Sequence, residues 1–300
     1  MEKNMTSIGK KIRMERIFDR DSKKTIIVPM YHGGGIGPIE GIADMGEAVD
    51  KVARRGANAV VLHKGDVPNG HRGGGKDIGL IVHMSSSTIF SDDLDDNVIV
   101  CSVKEAVSLG ADTVSIHVNL ENGKERQVLE EFATIVDQSN EYGIPLMAMV
   151  YPRGLKVEKG KEYNVENTAH CVRVADELGV DIVNVNYTGS PETFRHVVDA
   201  CKIPVLIAGG PKMGSEKEIL EMVEGAIMAG AAGLSISRNV FQDDDSAAII
   251  AKMSKIVHKG AHVEDFYPEE DGQTRSFWGG DTDGHIHGIS NAKNVKVDDR

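Results

Sequence analysis

The segment ELGVDIVNVNY, residues 177–187, decides how the chain is read. A polar, helix-like stretch closes at Gly179. Within three residues an apolar run begins, Ile182, Val183 and Val185, interrupted by two amides, Asn184 and Asn186. Glycine suits the left-handed position just past a helix end. A short, continuously apolar run suits a parallel strand covered on both faces. The same pattern recurs: RRGANAVVLH turns at Gly56, SLGADTVSIHV at Gly110, EYGIPLMAMVY at Gly143 and MAGAAGLSIS at Gly230. Three more runs, TIIVPM at 25–30, GLIVHM at 79–84 and PVLIAGG at 204–210, bring the candidate strands to eight.

Between these runs the chain has helical periodicity. Ser215 and Glu218 form a capping box, followed by one apolar face of Ile219, Met222, Val223, Ala226 and Ile227. Val128, Phe132, Ile135 and Val136 mark a similar face within 124–142. Eight strands alternating with helices predict an α/β fold, a TIM (β/α)8 barrel over residues 1–261. An open doubly wound sheet is the alternative. The N-terminal KKIRMERIF, 10–18, is expected to plug the bottom of the barrel or to pack a subunit contact. Residues 262–300 break the repeat. They hold nine acidic against four basic residues and the only tryptophan, Trp278, and read as a C-terminal extension. Asp281, Asp283, His285 and His287 alternate there, a spacing open to a metal or to a flexible polar tail.

Composition narrows the function. The net charge of −12 disfavours nucleic acid and anionic membrane surfaces as partners. No run of apolar residues is long enough to span a bilayer, and the first residues lack an apolar signal core. Cys101, Cys171 and Cys201 have neither metal nor redox spacing, so the expectation is a reduced, cytoplasmic protein.

A TIM barrel does its chemistry where the strands end at their C-terminal side. Those ends carry Tyr31, His32 and GGGIG; His63 and Lys64; His83 and SSST; His117 and Asn119; Tyr151 and Arg153; Asn184, Asn186 and Tyr187; Gly209, Gly210 and Lys212; and Ser237, Arg238 and Asn239. The last two sets suit a phosphate. Glycines let the backbone approach closely, and Lys212, Ser237 and Arg238 add donors and charge. Arg153 is placed either to clamp an anionic group or to salt-bridge across the rim. HRGGGKD, 71–77, reads as a lid or as a plain glycine loop. Four histidines near strand ends raise the question of a metal, but packed or hydrogen-bonded imidazoles are the preferred reading. No metal and no cofactor is expected.

Several long motifs, GKKIRMERIF, VPMYHG, AVVLHKG, HRGGGKDIGLIVH, VSIHVN, YPRG, YTGSPETFRHVV, AGGPK and SRNVFQ, resemble the archaeal-type class I aldolases in register over 8–260. The resemblance implies a TIM barrel, a small-molecule phosphorylated keto-sugar substrate and a ring-like homo-oligomer, often a decamer. It also implies a catalytic tyrosine at Tyr151. Two positions depart from the family. Its Schiff-base lysine falls at Asn184 and its proton-transferring aspartate at Tyr31. An amide nitrogen has no free lone pair with which to attack a carbonyl, so Asn184 can only donate and accept hydrogen bonds.

Three readings follow. One is an enzyme acting on a phosphorylated carbonyl compound without a Schiff base, with Tyr31, His32 and Tyr151 moving protons and Asn184 and Asn186 polarising a carbonyl or holding an enolate. Another is a non-catalytic binder of phosphate ligands. The third is an aldolase disabled by deliberate replacement. Takeover of the Schiff base by Lys64 or Lys212 is a further, lesser option.

Overall fold

The computed structural model describes residues 6–37, 39, 41–70, 77–91, 95–120, 123–153, 157, 161–210, 213–241 and 246–268. All eight expected strands are present: β1 (Thr25–Pro29), β2 (Ala59–His63), β3 (Gly79–His83), β4 (Thr113–Leu120), β5 (Leu146–Pro152), β6 (Ile182–Asn186), β7 (Val205–Ala208) and β8 (Gly233–Ser235). Each lies parallel to its neighbours in chain order, and β1 pairs with both β2 and β8. That last pairing closes the sheet, so the fold is a TIM barrel and not an open sheet.

Every strand is covered on both faces, and where its inner face is apolar too the run looks continuous rather than alternating. Val60, Leu62, Leu80, Val82, Val183 and Val185 point outward and are fully buried under the helices. The inner layer is smaller and includes Ile27, Val61, Ile81, Met147, Ile182 and Leu206. Helix Glu216–Ala229 starts at the expected Ser215/Glu218 capping box and buries Ile219, Leu220, Val223 and Ala226. Each of the three larger side chains contributes about 1.5–3 kcal/mol by leaving water. Gly230 ends that helix at φ 102°, a conformation costly to any residue with a Cβ. Gly179 does the same for helix Val165–Glu177 at φ 92°.

The barrel's bottom is plugged, as the basic N-terminal segment foretold. Helix Thr6–Ile17 inserts Ile17, which is fully buried, together with Met14 and Phe18 beneath the inner layer. Its polar side chains pin the rim: Lys10 pairs with Asp181 at 2.7 Å, Arg13 donates to the Gly143 carbonyl at 2.9 Å, and Arg16 pairs with Asp112 at 2.5 Å. At the other end of the chain, residues beyond 261 stay with the barrel for one more turn. Val263 is buried, His262 pairs with Glu224, and the Tyr267 hydroxyl bonds Glu216. Trp278 and the Asp281–His287 alternation lie outside the described residues, as do residues 71–76 of the expected lid.

One element was missed from sequence. Between β3 and β4 the residues Ser85–Ser86 and Val98–Ile99 form a small antiparallel ribbon. No helix among the described residues is long and apolar enough to cross a membrane.

Candidate active site

Side chains in a TIM barrel point inward in layers of four, drawn from alternate strands. The strand register assigns these layers from the bottom up. Ile27, Ile81, Met147 and Leu206 form an apolar floor. Above it come Val61, Ser115, Asn184 and Ser235, then Pro29, His83, Met149 and Ala208, then His63, His117 and Asn186. Tyr31 and Tyr151 sit at the rim. The interior therefore turns polar just above the floor. It turns polar without charge: none of the eight strands contains a lysine, arginine, aspartate or glutamate.

The middle of the mouth is filled by Tyr31. Its ring stacks on His83 at a centroid distance of 3.9 Å and on His32 at 4.7 Å. His63 and His117 meet it edge-on at 5.7 and 5.8 Å. Its hydroxyl reaches down to the Met149 sulfur at 3.0 Å. The imidazoles are held from behind. His83 Nδ1 bonds the Ser115 hydroxyl at 2.8 Å, His63 Nδ1 faces the His83 carbonyl at 3.3 Å, and His32 Nε2 bonds the Ser237 hydroxyl at 3.2 Å.

Burial and nearby guanidiniums keep these rings neutral. Loss of water pulls His32 down to about 4, with Arg238 adding to the effect. Burial pulls His117 to about 3, with Arg153 adding to it. Burial also takes His83 well below the ordinary imidazole range and lowers His63. The tyrosines move the other way. Burial raises Tyr151 to about 12 despite Arg153, and takes Tyr31 well above the usual phenol value. At pH 7 the mouth is thus lined by unprotonated imidazoles and protonated phenols.

Asn184 is 2% exposed, and its Nδ2 donates to the Tyr151 hydroxyl at 3.4 Å. That hydroxyl accepts and so keeps its own proton for another partner. Asn184 Oδ1 and the Ser235 hydroxyl in the same layer are buried with no hydrogen-bond partner among the described residues. Asn186 donates to the Glu162 carbonyl at 3.1 Å.

The loops after β7 and β8 are tied to one another. Arg238 donates to the Gly210 carbonyl at 3.0 Å, and Asn239 donates to the Gly209 carbonyl at 2.7 Å while accepting from the Met213 N–H at 2.8 Å. Gly210 has φ 61°, and a Cβ on Gly209 would come within 2.8 Å of Ile236. Gly210 is thus required by its own backbone conformation, and Gly209 by the close approach of the Ile236 side chain. Lys212 lies outside the described residues.

The sequence profile of the DeoC/LacD family aldolases matches residues 25–243, which hold all eight strands of the barrel just described. The chain belongs to this aldolase family. A 2-amino-3,7-dideoxy-D-threo-hept-6-ulosonate synthase 1 from Archaeoglobus fulgidus is 41% identical over 258 residues, covering 86% of this chain and 94% of the relative. A class 1 fructose-bisphosphate aldolase from Thermoproteus tenax is 36% identical, covering 82% of this chain and 93% of the relative. The solved structure of a Schiff-base-forming fructose-1,6-bisphosphate aldolase superposes with a TM-score of 0.75 at 33% identity, covering 85% of this chain and all of the other.

Within this aldolase barrel the structure brings together most of the residues singled out from sequence. Tyr31, His32 and Tyr151 share the mouth with Asn184 beneath Tyr151, and Gly209, Gly210, Ser237 and Arg238 share the adjoining rim. Arg153 stands at the rim, 5.0 Å above the Tyr151 ring and paired with Asp95 at 3.0 Å. Lys64 turns outward to Glu105 at 3.2 Å and is 43% exposed. Tyr187 packs on Phe194, outside the barrel. The sequence reading did not single out Ser115, Met149 or Ser235. The alternation Thr113, Ser115, His117, Asn119 along β4 is the signal that would have marked the polar interior, because alternate residues of a strand share one face.

Proposed function

We propose that this chain binds a phosphorylated keto compound and turns it over through an enol or enolate, by carbon–carbon bond cleavage or formation, acyl transfer or enolisation, without a Schiff base. The observation that carries this is the lysine-free, uncharged set of strands at whose rim the Tyr151 O–H has no acceptor among the described residues. Tyr151 donates that proton to the substrate carbonyl oxygen, and Asn184 holds the phenol from below. Its raised pKa keeps it protonated across the physiological range. The neutral imidazoles of His32 and His117 carry lone pairs for a carbon-bound proton at pH 7, and the burial that lowers them to about 4 and about 3 also weakens them as bases. Arg153 and Arg238 supply the positive field in which negative charge on an enolate is tolerated. The loops of Gly209, Gly210, Ser237 and Arg238, with Lys212, hold the phosphate.

A second reading, binding without turnover, is favoured by one observation. Tyr31 fills the mouth and stacks on two imidazoles, so a ligand must displace it or lie on it. One experiment separates the two. The protein is incubated in deuterated water with dihydroxyacetone phosphate or fructose 1,6-bisphosphate and followed by mass spectrometry. Deuterium uptake at carbon, or cleavage, that disappears in Tyr151→Phe supports turnover. Binding without either outcome supports the second reading for these compounds.

A further inference from the structure

At the end of the barrel away from the mouth, three side chains far apart in sequence meet in a line. Ser22 lies in the turn before β1, Asn58 immediately precedes β2, and His258 sits in the last turn of helix Ser246–Lys259. Ser22 Oγ is 2.8 Å from His258 Nδ1, and His258 Nε2 is 3.1 Å from Asn58 Oδ1. All three residues are half-buried, so small reagents in solution can reach them.

A third hydrogen bond fixes every proton in this line. Asn58 Oδ1 also takes the Ile26 N–H at 2.7 Å, and a backbone amide only donates, so the atom there is the amide oxygen and not the nitrogen. An oxygen facing Nε2 requires that nitrogen to carry the ring proton. Burial, against the pull of Asp19 and helped by Lys259 and Lys24, lowers the pKa of His258 and leaves the ring neutral at pH 7. Nδ1 is then a lone pair, and the Ser22 hydroxyl donates to it. Ser22 Oγ in turn accepts the Lys24 N–H at 3.3 Å. The turn that presents Ser22 is held firmly. Asp19 Oδ1 accepts from the Asp21 and Ser22 N–H groups at 3.1 and 2.8 Å, and the Asp19 N–H donates to the Lys24 carbonyl at 2.9 Å. Lys23, the next residue, has φ 59°, the one positive value outside glycine among the described residues. Backbone of this kind is uncommon and gathers where a side chain has to be aimed.

We propose that Ser22, His258 and Asn58 form a second catalytic centre, in which Ser22 takes the acyl group of a small activated donor and passes it to water. A hydroxyl bonded to a base that a third group orients is the arrangement that activates a serine. Ser22 Oγ attacks the acyl carbon and its proton passes to His258 Nδ1. The bond from the acyl carbon to the leaving oxygen breaks, and that oxygen takes the proton from Nδ1. Water then repeats the exchange. Its oxygen bonds to the acyl carbon, its proton goes by way of Nδ1 to Ser22 Oγ as the acyl–serine bond breaks, and a carboxylic acid is released. Asn58 is the positioning residue: it orients the ring without adding charge. Lys24 and Lys259 lie near enough to act on the ring, and their field suits a leaving group that departs as an anion, from an acyl phosphate or an aryl ester. No residue of the mouth takes part, so this activity is independent of the reaction proposed above.

The full chain is mixed with 4-nitrophenyl acetate, quenched in acid and mapped by peptide mass spectrometry, with nitrophenolate release followed in parallel. Ser22 should be acetylated at least about a hundredfold faster than Ser108, an exposed serine whose hydroxyl donates to the Lys104 carbonyl instead of to an imidazole. His258→Gln should remove that advantage, and Ser22→Ala should remove the fast phase of nitrophenolate release. The acetylation rate should fall on acidification with a midpoint below about 6.5, as His258 takes up a proton. Asn58→Asp keeps an acceptor for Ile26 and puts a negative charge beside the ring, so the midpoint should move up, which a purely structural contact would not do. Ser22 acetylated no faster than Ser108 overturns the proposal. So does a rate indifferent to His258→Gln, or a midpoint unmoved in Asn58→Asp with the parent's far-UV spectrum.

Discussion

The buried imidazoles make a specific demand on acid stability. An unfolded histidine takes up its proton near pH 6.5, whereas His117 and His32 hold theirs off until about 3 and about 4. A group whose pKa is lowered by folding binds protons better in the unfolded chain. Its contribution is complete above pH 6.5 and is lost as the pH falls toward the folded value. By pH 4 each of the two rings should cost about 3 kcal/mol, at about 1.4 kcal/mol per pH unit. Their sum of about 6 kcal/mol is an upper figure because both rings touch solvent at the rim, yet it is comparable to the 5–15 kcal/mol that holds a typical domain. His83 and His63 act in the same direction. Exposed His262, raised by Glu224, acts oppositely and weakly. The loss should begin near pH 6.5 and run down to about 4 for His32 and about 3 for His117, and its part above pH 4.5 lies clear of the range in which carboxylates take up protons. Urea unfolding at stepped pH measures it, and circular dichroism is the probe of choice because the one tryptophan lies in the tail. His117→Gln should remove its share of the slope. A flat stability between pH 6.5 and 4.5, or imidazole NMR titrations centred near 6.5, would refute the reasoning.

Tyr31→Ala should cost about 3 kcal/mol by urea unfolding through lost ring packing, while Tyr31→Phe should cost about 1 kcal/mol or less, since the hydroxyl's 3.0 Å partner is a thioether. Equal losses would mean that the hydroxyl, not the stack, holds the ring. Asn184→Lys alone should destabilise by about 3 kcal/mol, because it puts an amine at a position 2% exposed. Adding Tyr31→Asp should recover at least about 1 kcal/mol of this in a double-mutant cycle. The double variant should also trap dihydroxyacetone phosphate with borohydride, and zero coupling would argue against the two positions acting as a pair. Ser215→Ala removes one capping box and should cost about 1 kcal/mol, seen as a fall of about 2–4 °C in Tm.

The barrel was legible because its signals are local. A glycine past each of several helices and a buried run after it give the repeat without any knowledge of tertiary contacts. The strand-end rule then places Tyr31, His32, Tyr151, Asn184 and the β7 and β8 loops near one another. What the sequence does not convey is how a side chain turns once it is there. Nothing local says that Tyr31 leans inward onto His83 rather than outward, or that Lys64 turns away to Glu105. Those choices depend on partners 52 and 41 positions along the chain. The ribbon at 85–86 and 98–99 was missed because two-residue strands have no periodicity to read.

The plug at the bottom of the barrel sets an order of events. Helix Thr6–Ile17 leaves the ribosome before every strand it plugs, and its anchors at Asp112, Gly143 and Asp181 come about one hundred residues or more later. The floor it fills includes Leu206, and β1 has no second neighbour until Gly233–Ser235 is made. During synthesis the basic helix therefore waits without its seat, while most of the chain is added behind it. Newly made chains are at their stickiest in this interval. Masking the helix with an N-terminal fusion should change the yield of folded protein far more than the same fusion placed after residue 268.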